Sequence, residues 1–135
     1  MTYDRFMGLV QHRAHLANTG EAERATRAVL ETLGERLAGG EPFDLASQLP
    51  PEIGRHLEHD YSGAGERFSL EGFYQLVSLR EGTDLPEAIE HAQAVISVLN
   101  DAVSPGEMKD VRAQLPAEYD MLFEAGGEGA IRPAE

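Results

Sequence analysis

Two stretches of the sequence decide the fold: EAERATRAVLETLGERLAGGEPFDLASQLPPEIGRHL at residues 21–57 and EAIEHAQAVISVLNDAVSPGEMKDVRAQLPAEYDMLF at residues 87–123. Aligned without a gap at an offset of 66, they are identical at twelve of 37 positions, whereas chance gives about two or three. Upstream the offset becomes 67, and the same residues recur at Phe6/Phe73, Leu9/Leu76, Val10/Val77 and Arg13/Arg80. Self-similarity at a fixed offset indicates an internal duplication.

Each copy contains four segments whose apolar residues recur at helical spacing. The longest segment carries one apolar stripe in each copy: Ala22, Ala25, Val29, Leu30, Leu33 and Leu37, then Ile89, Ala92, Val95, Ile96, Leu99 and Val103. No segment alternates convincingly between apolar and polar residues, so we expect no sheet. The sequence therefore predicts an all-α domain of about eight helices, formed by two tandem four-helix halves with pseudo-twofold symmetry.

The domain is expected to span residues 1–135 as a single unit. Internal repeat 1 covers about residues 3–60 and internal repeat 2 about residues 68–125, with residues 61–65 as the linker between them. The tail at 126–135 is rich in glycine and polar residues, and we expect it to be flexible. The two long helices are expected at the centre, antiparallel or crossed.

The repeated motifs Gln48-Leu49-Pro50 and Gln114-Leu115-Pro116 are interpreted as structural. Each leucine fills the core, and the glutamine amide satisfies backbone groups at a helix end. Each proline is expected at the first position of the fourth helix, where a missing N–H costs nothing.

Two arginines recur in step with the repeat, Arg13 and Arg80. The acidic pairs Asp44/Asp110 and Glu52/Glu118 recur as well. We expect each arginine to pair with an acidic residue of this repeated set, because a guanidinium can bind a carboxylate through two hydrogen bonds. This role is again structural.

Composition excludes several classes of protein. The chain has 135 residues, no cysteine and a formal net charge of -13. Disulfides, zinc–thiolate sites and cysteine nucleophiles are therefore excluded. An acidic surface repels phosphate backbones, so no nucleic-acid partner is expected. No apolar run is long enough to cross a bilayer, and the N-terminal residues do not have the pattern of a signal peptide. We expect a cytoplasmic protein with no membrane partner.

The histidines offer the main candidate for metal chemistry. His56 and His59 stand three residues apart with Asp60 beside them, and imidazole with carboxylate suits zinc, iron or manganese. However, His56 aligns with Leu122, and a histidine in place of an apolar residue is often a packing group. Metal binding at His56, His59 and Asp60 is thus kept as the less favoured hypothesis, and no cofactor is expected.

Nucleophilic catalysis and phosphate binding by a glycine loop find no support. The sequence has no Gly-x-Ser-x-Gly elbow. Gly39-Gly40 lacks the lysine and the preceding strand of a phosphate-binding loop, and is better explained as a helix stop.

The chain resembles a bacterial family known as domain of unknown function 2267. The resemblance covers about residues 3–125 and is carried by an alanine-spaced helix, a Glu-Arg-Leu stretch, a glutamate and Gln-Leu-Pro: Ala25, Ala28-Val29-Leu30, Thr32-Leu33, Glu35-Arg36-Leu37, Glu41, Leu45 and Gln48-Leu49-Pro50. A later aromatic helix with Phe68, Leu70, Phe73 and Val77 also fits. The resemblance implies a fold but no activity.

Three functional hypotheses remain. The first is a non-catalytic interaction module, monomer or homodimer, that receives a protein or peptide. The second is a metal-binding protein or enzyme that uses histidines and carboxylates near residues 52–60. The third is a small-molecule sensor with a pocket between the two halves. Any local function should lie where the halves differ.

Overall fold

The computed structural model of the chain describes residues 1–58 and 67–125. These residues form eight α-helices: α1 (Tyr3–Arg13), α2 (Thr19–Arg36), α3 (Glu41–Ala46), α4 (Pro51–Gly54), α5 (Leu70–Glu81), α6 (Leu85–Ala102), α7 (Pro105–Ala113) and α8 (Asp120–Ala125). Two 3-10 turns, Arg55–Leu57 and Ala117–Tyr119, follow α4 and precede α8. The described residues contain no strand, so the all-α prediction is confirmed. The expected linker at 61–65 and tail at 126–135 lie outside the described residues.

Helix starts follow from local side-chain chemistry. Five helices begin after a residue whose side-chain oxygen accepts a hydrogen bond from a backbone amide in the first turn: Thr2, Asn18, Ser69, Asp84 and Ser104. Such a cap satisfies one of the four amides that have no partner within the helix and stabilises it by about 1 kcal/mol. Asn18 is the cap of α2, and Thr19 is the first residue of that helix.

The core surrounds the two long helices. α2 and α6 contact each other, and α1 and α5 contact both. The largest fully buried side chains come from both ends of the chain and include Phe6, Leu30, Leu33, Leu45, Ile53, Phe73, Ile96, Leu99, Tyr119 and Leu122. No helix among the described residues is both long and apolar enough to span a bilayer. The long helices are therefore central, while the tandem-halves symmetry stays a prediction.

Polar contacts join the first part of the chain to the second in reciprocal pairs. Gln48 Oε1 accepts a hydrogen bond from the Ser104 amide at 2.8 Å, and Gln114 Oε1 accepts one from the Ala38 amide at 2.9 Å. Both the glutamines and the amides they bind stand 66 positions apart, 48 to 114 and 38 to 104. This reciprocity is what two equivalent halves would produce.

The arginines form a second reciprocal set. Arg13 donates to Ser97 Oγ and binds Asp101 at 2.7 Å, whereas Arg80 donates to Thr32 Oγ1 and binds Glu35. The partners are acidic, but they are not the residues expected from the sequence, which were Asp44, Asp110, Glu52 and Glu118. Because α1 packs on α6 and α5 packs on α2, the acidic residues within reach lie near the ends of the long helices.

In both copies, the helical turn that follows the repeated motif begins one residue later than expected. Pro50 and Pro116 occupy the cap position with extended ψ values of 144° and 161°, and the helical turns begin at Pro51 and Ala117. The expectation of helix starts at Pro50 and Pro116 is therefore wrong. For Pro50 the cause is steric, because a residue that precedes proline is disfavoured in the α conformation.

Two equivalent turns end α1 and α5 with different residues. Gly82 has a φ of 75°, and His15, 67 positions earlier, has a φ of 57°. In both turns the next amide bonds back five residues, Leu16 to the Gln11 carbonyl and Thr83 to the Ser78 carbonyl. Glycine adopts this left-handed conformation freely, but a residue with a Cβ atom pays a steric cost.

Replacing His15 with glycine is expected to raise the free energy of unfolding by about 0.5–1 kcal/mol, because it removes this cost. The matched change, Gly82→Ala, is expected to lower it by about 1 kcal/mol. A Cβ atom on Gly82 would meet nothing within 4 Å, so only the backbone conformation is tested. Urea denaturation measures both effects, and a His15→Gly protein no more stable than the parent would contradict the argument.

Candidate functional site

Three acidic side chains meet where α3 packs against α7. One carboxylate oxygen from each of Glu41, Glu107 and Asp110 lies within 4.8 Å of the other two. The Glu41 and Glu107 carboxyl groups are close enough to share a hydrogen bond when one of them holds a proton. Glu41 Oε2 and Glu107 Oε2 are nevertheless buried without a hydrogen-bond partner. A divalent cation could be held by these three carboxylates, since oxygen ligands suit magnesium, calcium and manganese.

Glu41 also binds a proton more tightly than an exposed glutamate does. Burial, the hydrogen bond to Glu107 and the charges of Glu107, Asp44 and Asp110 raise the pKa of Glu41 to about 7. Two carboxylates in contact repel each other, and a shared proton turns this repulsion into a hydrogen bond. Ser104 and Glu107 form only one of the two hydrogen bonds of a capping box. Ser104 Oγ accepts from the Glu107 amide, but the Ser104 amide donates to Gln48.

A second group of polar side chains lies inside the protein. His91 Nδ1 and Glu81 Oε2 are 2.5 Å apart, and their side chains are 8% and 5% exposed. The hydrogen bond to Glu81 raises the pKa of His91 despite its burial, and the charges of Glu87 and Glu90 act in the same direction. Glu81 Oε1 is buried and has no hydrogen-bond partner.

This buried pair lines a cavity of about 380 Å³. The cavity lies between the connection of α1 to α2 and the turn joining α5 to α6. Its other lining residues are Ala14, His15, Leu16, Glu21, Arg24, Gly82, Thr83, Glu87 and Glu90. We call it the acidic cavity, because its four carboxylates outnumber its cationic groups, which are one arginine and the histidines.

The buried pair replaces two alanines of the first repeat. In the alignment Glu81 corresponds to Ala14 and His91 to Ala25, and both alanines are buried. A buried ion pair is seldom worth more to stability than well-packed apolar residues, because both charges lose their hydration. The fold therefore needs only small apolar residues at these positions, and Glu81 with His91 is a candidate for function.

Of the three residues expected to bind a metal, only His56 lies within the described residues. It lines a different cavity, of about 390 Å³, together with Arg24, Arg27 and Arg55. His59 and Asp60 lie outside the described residues, so the metal hypothesis at His56, His59 and Asp60 stays a prediction. The carboxylates that do come together include Glu41 and Glu107. In the sequence, these two residues show only as one of the identities between the two copies. Their equal position in each copy was the signal that could have found them.

The Glu41–Glu107 pair predicts a stability that depends on pH. Because the folded-state pKa of Glu41, about 7, lies above its ordinary value of 4.5, the pair stabilises the fold fully below pH 4.5 and loses this effect as the pH rises through 7. We expect the free energy of unfolding to fall by about 1–2 kcal/mol from this source between pH 5 and pH 8.

Glu41→Gln should remove most of this fall, since an amide donates a hydrogen bond to Glu107 at every pH. Glu71→Gln, on the exposed face of α5, is the control and should keep it. Chemical denaturation at several pH values measures the slope, and an equal slope in the parent and in Glu41→Gln would overturn the assignment.

The comparison with known proteins identifies a family and leaves the chemistry open. No curated protein matches the chain. The model of one family, described as an uncharacterized conserved protein (DUF2267), matches residues 3–122. This match spans all of the helices described above up to the start of α8, and it confirms the resemblance found in the sequence. The chain therefore belongs to the DUF2267 family.

Proposed function

We propose that this protein is a small-molecule binding module whose acidic cavity takes a small organic cation. The observation that carries the proposal is the Glu81 side chain. It is buried, it lines the cavity, and its Oε1 atom has no hydrogen-bond partner. An unsatisfied buried carboxylate oxygen costs about 1–3 kcal/mol or more. An N–H donor from a ligand would satisfy it.

The charges around Glu81 favour a cation. Glu21, Glu87 and Glu90 also line the cavity, and His91 compensates only one of the four carboxylates when it is protonated. Arg24 compensates a second. With four carboxylates against one arginine and two histidines, the cavity keeps an excess of negative charge, which attracts cations and repels anions.

The geometry favours an organic cation over a metal ion. Among residues 1–58 and 67–125, the one group of three carboxylate or histidine ligands close enough to share a metal ion is Glu41, Glu107 and Asp110. The carboxylates of the acidic cavity are more widely spread, as suits a molecule of several atoms. A volume of about 380 Å³ falls within the range of small-molecule sites.

The other functional hypotheses have weaker support. For an interaction module, the large apolar side chains most exposed among the described residues are Phe43, Leu79 and Met121. They lie on three different helices. For an enzyme, a histidine held by a carboxylate is a familiar general base, but the acidic cavity offers no serine or cysteine nucleophile beside it. Both hypotheses stay predictions.

The proposal is tested by titrating the protein with putrescine, agmatine and tetramethylammonium. 1,4-Butanediol is the neutral control for putrescine. Binding is followed by ¹H–¹⁵N NMR and by the thermal unfolding midpoint. We expect saturable shifts at Glu81, Gly82 and His91 with at least one cation that donates N–H groups, and none with the diol, because the cavity recognises charge.

The double variant Glu81→Ala/His91→Ala is the decisive control. It places the alanines of the first repeat at these positions and removes both partners of the buried pair together, so no unpaired buried charge is left and the variant should still fold. It should bind the same cation about tenfold or more weakly, since the buried acceptor is lost. Equal affinity in the parent and the double variant would overturn the proposal, and so would the absence of saturable shifts with every cation.

A further inference from the structure

We infer that the cavity beside His56 is a binding site for a compact phosphate group. The cavity lies between α1, α2 and the 3-10 turn Arg55–Leu57, and has a volume of about 390 Å³. Arg24 and Arg27 reach it from α2, and Arg55 with His56 reaches it from the turn. Three of the chain's 11 lysines and arginines therefore converge on one cavity of a protein with a net charge of -13. We call it the arginine cavity.

Within the described part of the chain, none of the three arginines forms an ion pair with a carboxylate. Among the described residues, Arg13, Arg80 and Arg112 form ion pairs within 4.0 Å, whereas Arg24, Arg27 and Arg55 form none. Two carboxylates, Glu23 and Glu52, line the same cavity, yet neither comes within this distance of an arginine. Like charges gathered without internal partners repel each other, and a bound anion would relieve this repulsion.

The fold does not need these arginines. At the corresponding positions of the second repeat stand Glu90, Gln93 and Met121, on an equivalent helix and just after an equivalent turn. Met121 is 67% exposed, so the position of Arg55 is also one that packing does not restrict. The positive charge of the arginine cavity is thus a property of the first repeat alone.

The chemistry of the side chains identifies the ligand class. A guanidinium presents a planar set of N–H donors that matches the oxygens of phosphate, often through two parallel hydrogen bonds. The Tyr3 side chain also lines the cavity and carries a hydroxyl that can donate. A long polyanion would be repelled by the surrounding acidic surface. The site therefore suits inorganic phosphate or a small phosphate monoester, not a nucleic acid.

This inference is independent of the acidic cavity except at Arg24, which lines both. The test therefore leaves Arg24 unchanged and uses the double variant Arg27→Gln/Arg55→Gln. Arg5→Gln is the matched control, because Arg5 is exposed on α1 and does not line the arginine cavity. All three side chains are exposed, so both variants should fold.

The parent and both variants are titrated at low ionic strength with inorganic phosphate and with glycerol 3-phosphate, and chloride is added to match ionic strength in a separate series. ¹H–¹⁵N NMR should show saturable shifts at Tyr3, Arg27 and Arg55. Which of the two probes binds more tightly distinguishes the free ion from a monoester. Affinity should fall about tenfold or more in Arg27→Gln/Arg55→Gln, and should be unchanged in Arg5→Gln.

Three results would overturn the inference: shifts that chloride reproduces, shifts that do not saturate with either phosphate, or equal affinity in the parent and the double variant. The acidic cavity is not altered by these substitutions. A failure here therefore leaves the proposed cation site standing, and a failure of the cation titration leaves the arginine cavity to be judged by its own result.

Discussion

The burial of the two long helices is the constraint on which the rest of the structure depends. More than half of the residues of α2 are buried, as are half of those of α6, so a polar side chain on either helix must find a partner inside the protein. Thr32 Oγ1 donates to the Ala28 carbonyl and Ser97 Oγ to the Ala94 carbonyl. Arg80 and Arg13 then donate to these same hydroxyls from α5 and from the end of α1. Each outer helix is thereby fixed to a central one by hydrogen bonds as well as by apolar packing.

The need of buried polar groups for partners also fixes the segment that precedes α5. Arg36 is 8% exposed. Its Nε donates to the Phe68 carbonyl, and its guanidinium lies 5.3 Å from the centre of the Tyr119 ring. The Tyr119 hydroxyl donates to the carbonyls of Phe68 and Ser69, and burial raises its pKa. A buried charge is tolerated only with such partners. These bonds hold the segment before α5 against α2, which positions α5 and hence Glu81 at its last residue. The acidic cavity therefore depends on contacts made far from it.

The sequence was sufficient for the helices because their signals are local. The apolar stripes of the two long segments are set by residues three or four positions apart, such as Val29 with Leu33 and Val95 with Leu99. The contacts that form the candidate site could not be predicted from such local signals. Glu81 and His91 are joined through a turn between two helices, and nothing in their spacing of ten residues predicts a contact. Glu41 and Glu107 were visible as repeat identities, but only packing shows that α3 and α7 bring them together. The partners predicted for Arg13 and Arg80 were wrong for the same reason. Which carboxylates an arginine can reach on a neighbouring helix depends on the tertiary structure.

Where the two copies agree and where they differ has a physical meaning in the finished structure. Some matching positions are apolar and fully buried, such as Val29 with Val95 and Leu33 with Leu99, and they fix the packing of the long helices. Several positions that differ in charge line the two cavities. The buried alanines 14 and 25 correspond to Glu81 and His91 at the acidic cavity, and the arginines of the arginine cavity correspond to uncharged or acidic residues. Exposed positions tolerate such changes at little cost to stability, whereas the buried change requires an ion pair whose second carboxylate oxygen still lacks a donor. The charged side chains that line the two cavities are thus largely a separate set from the fully buried apolar residues that pack the long helices.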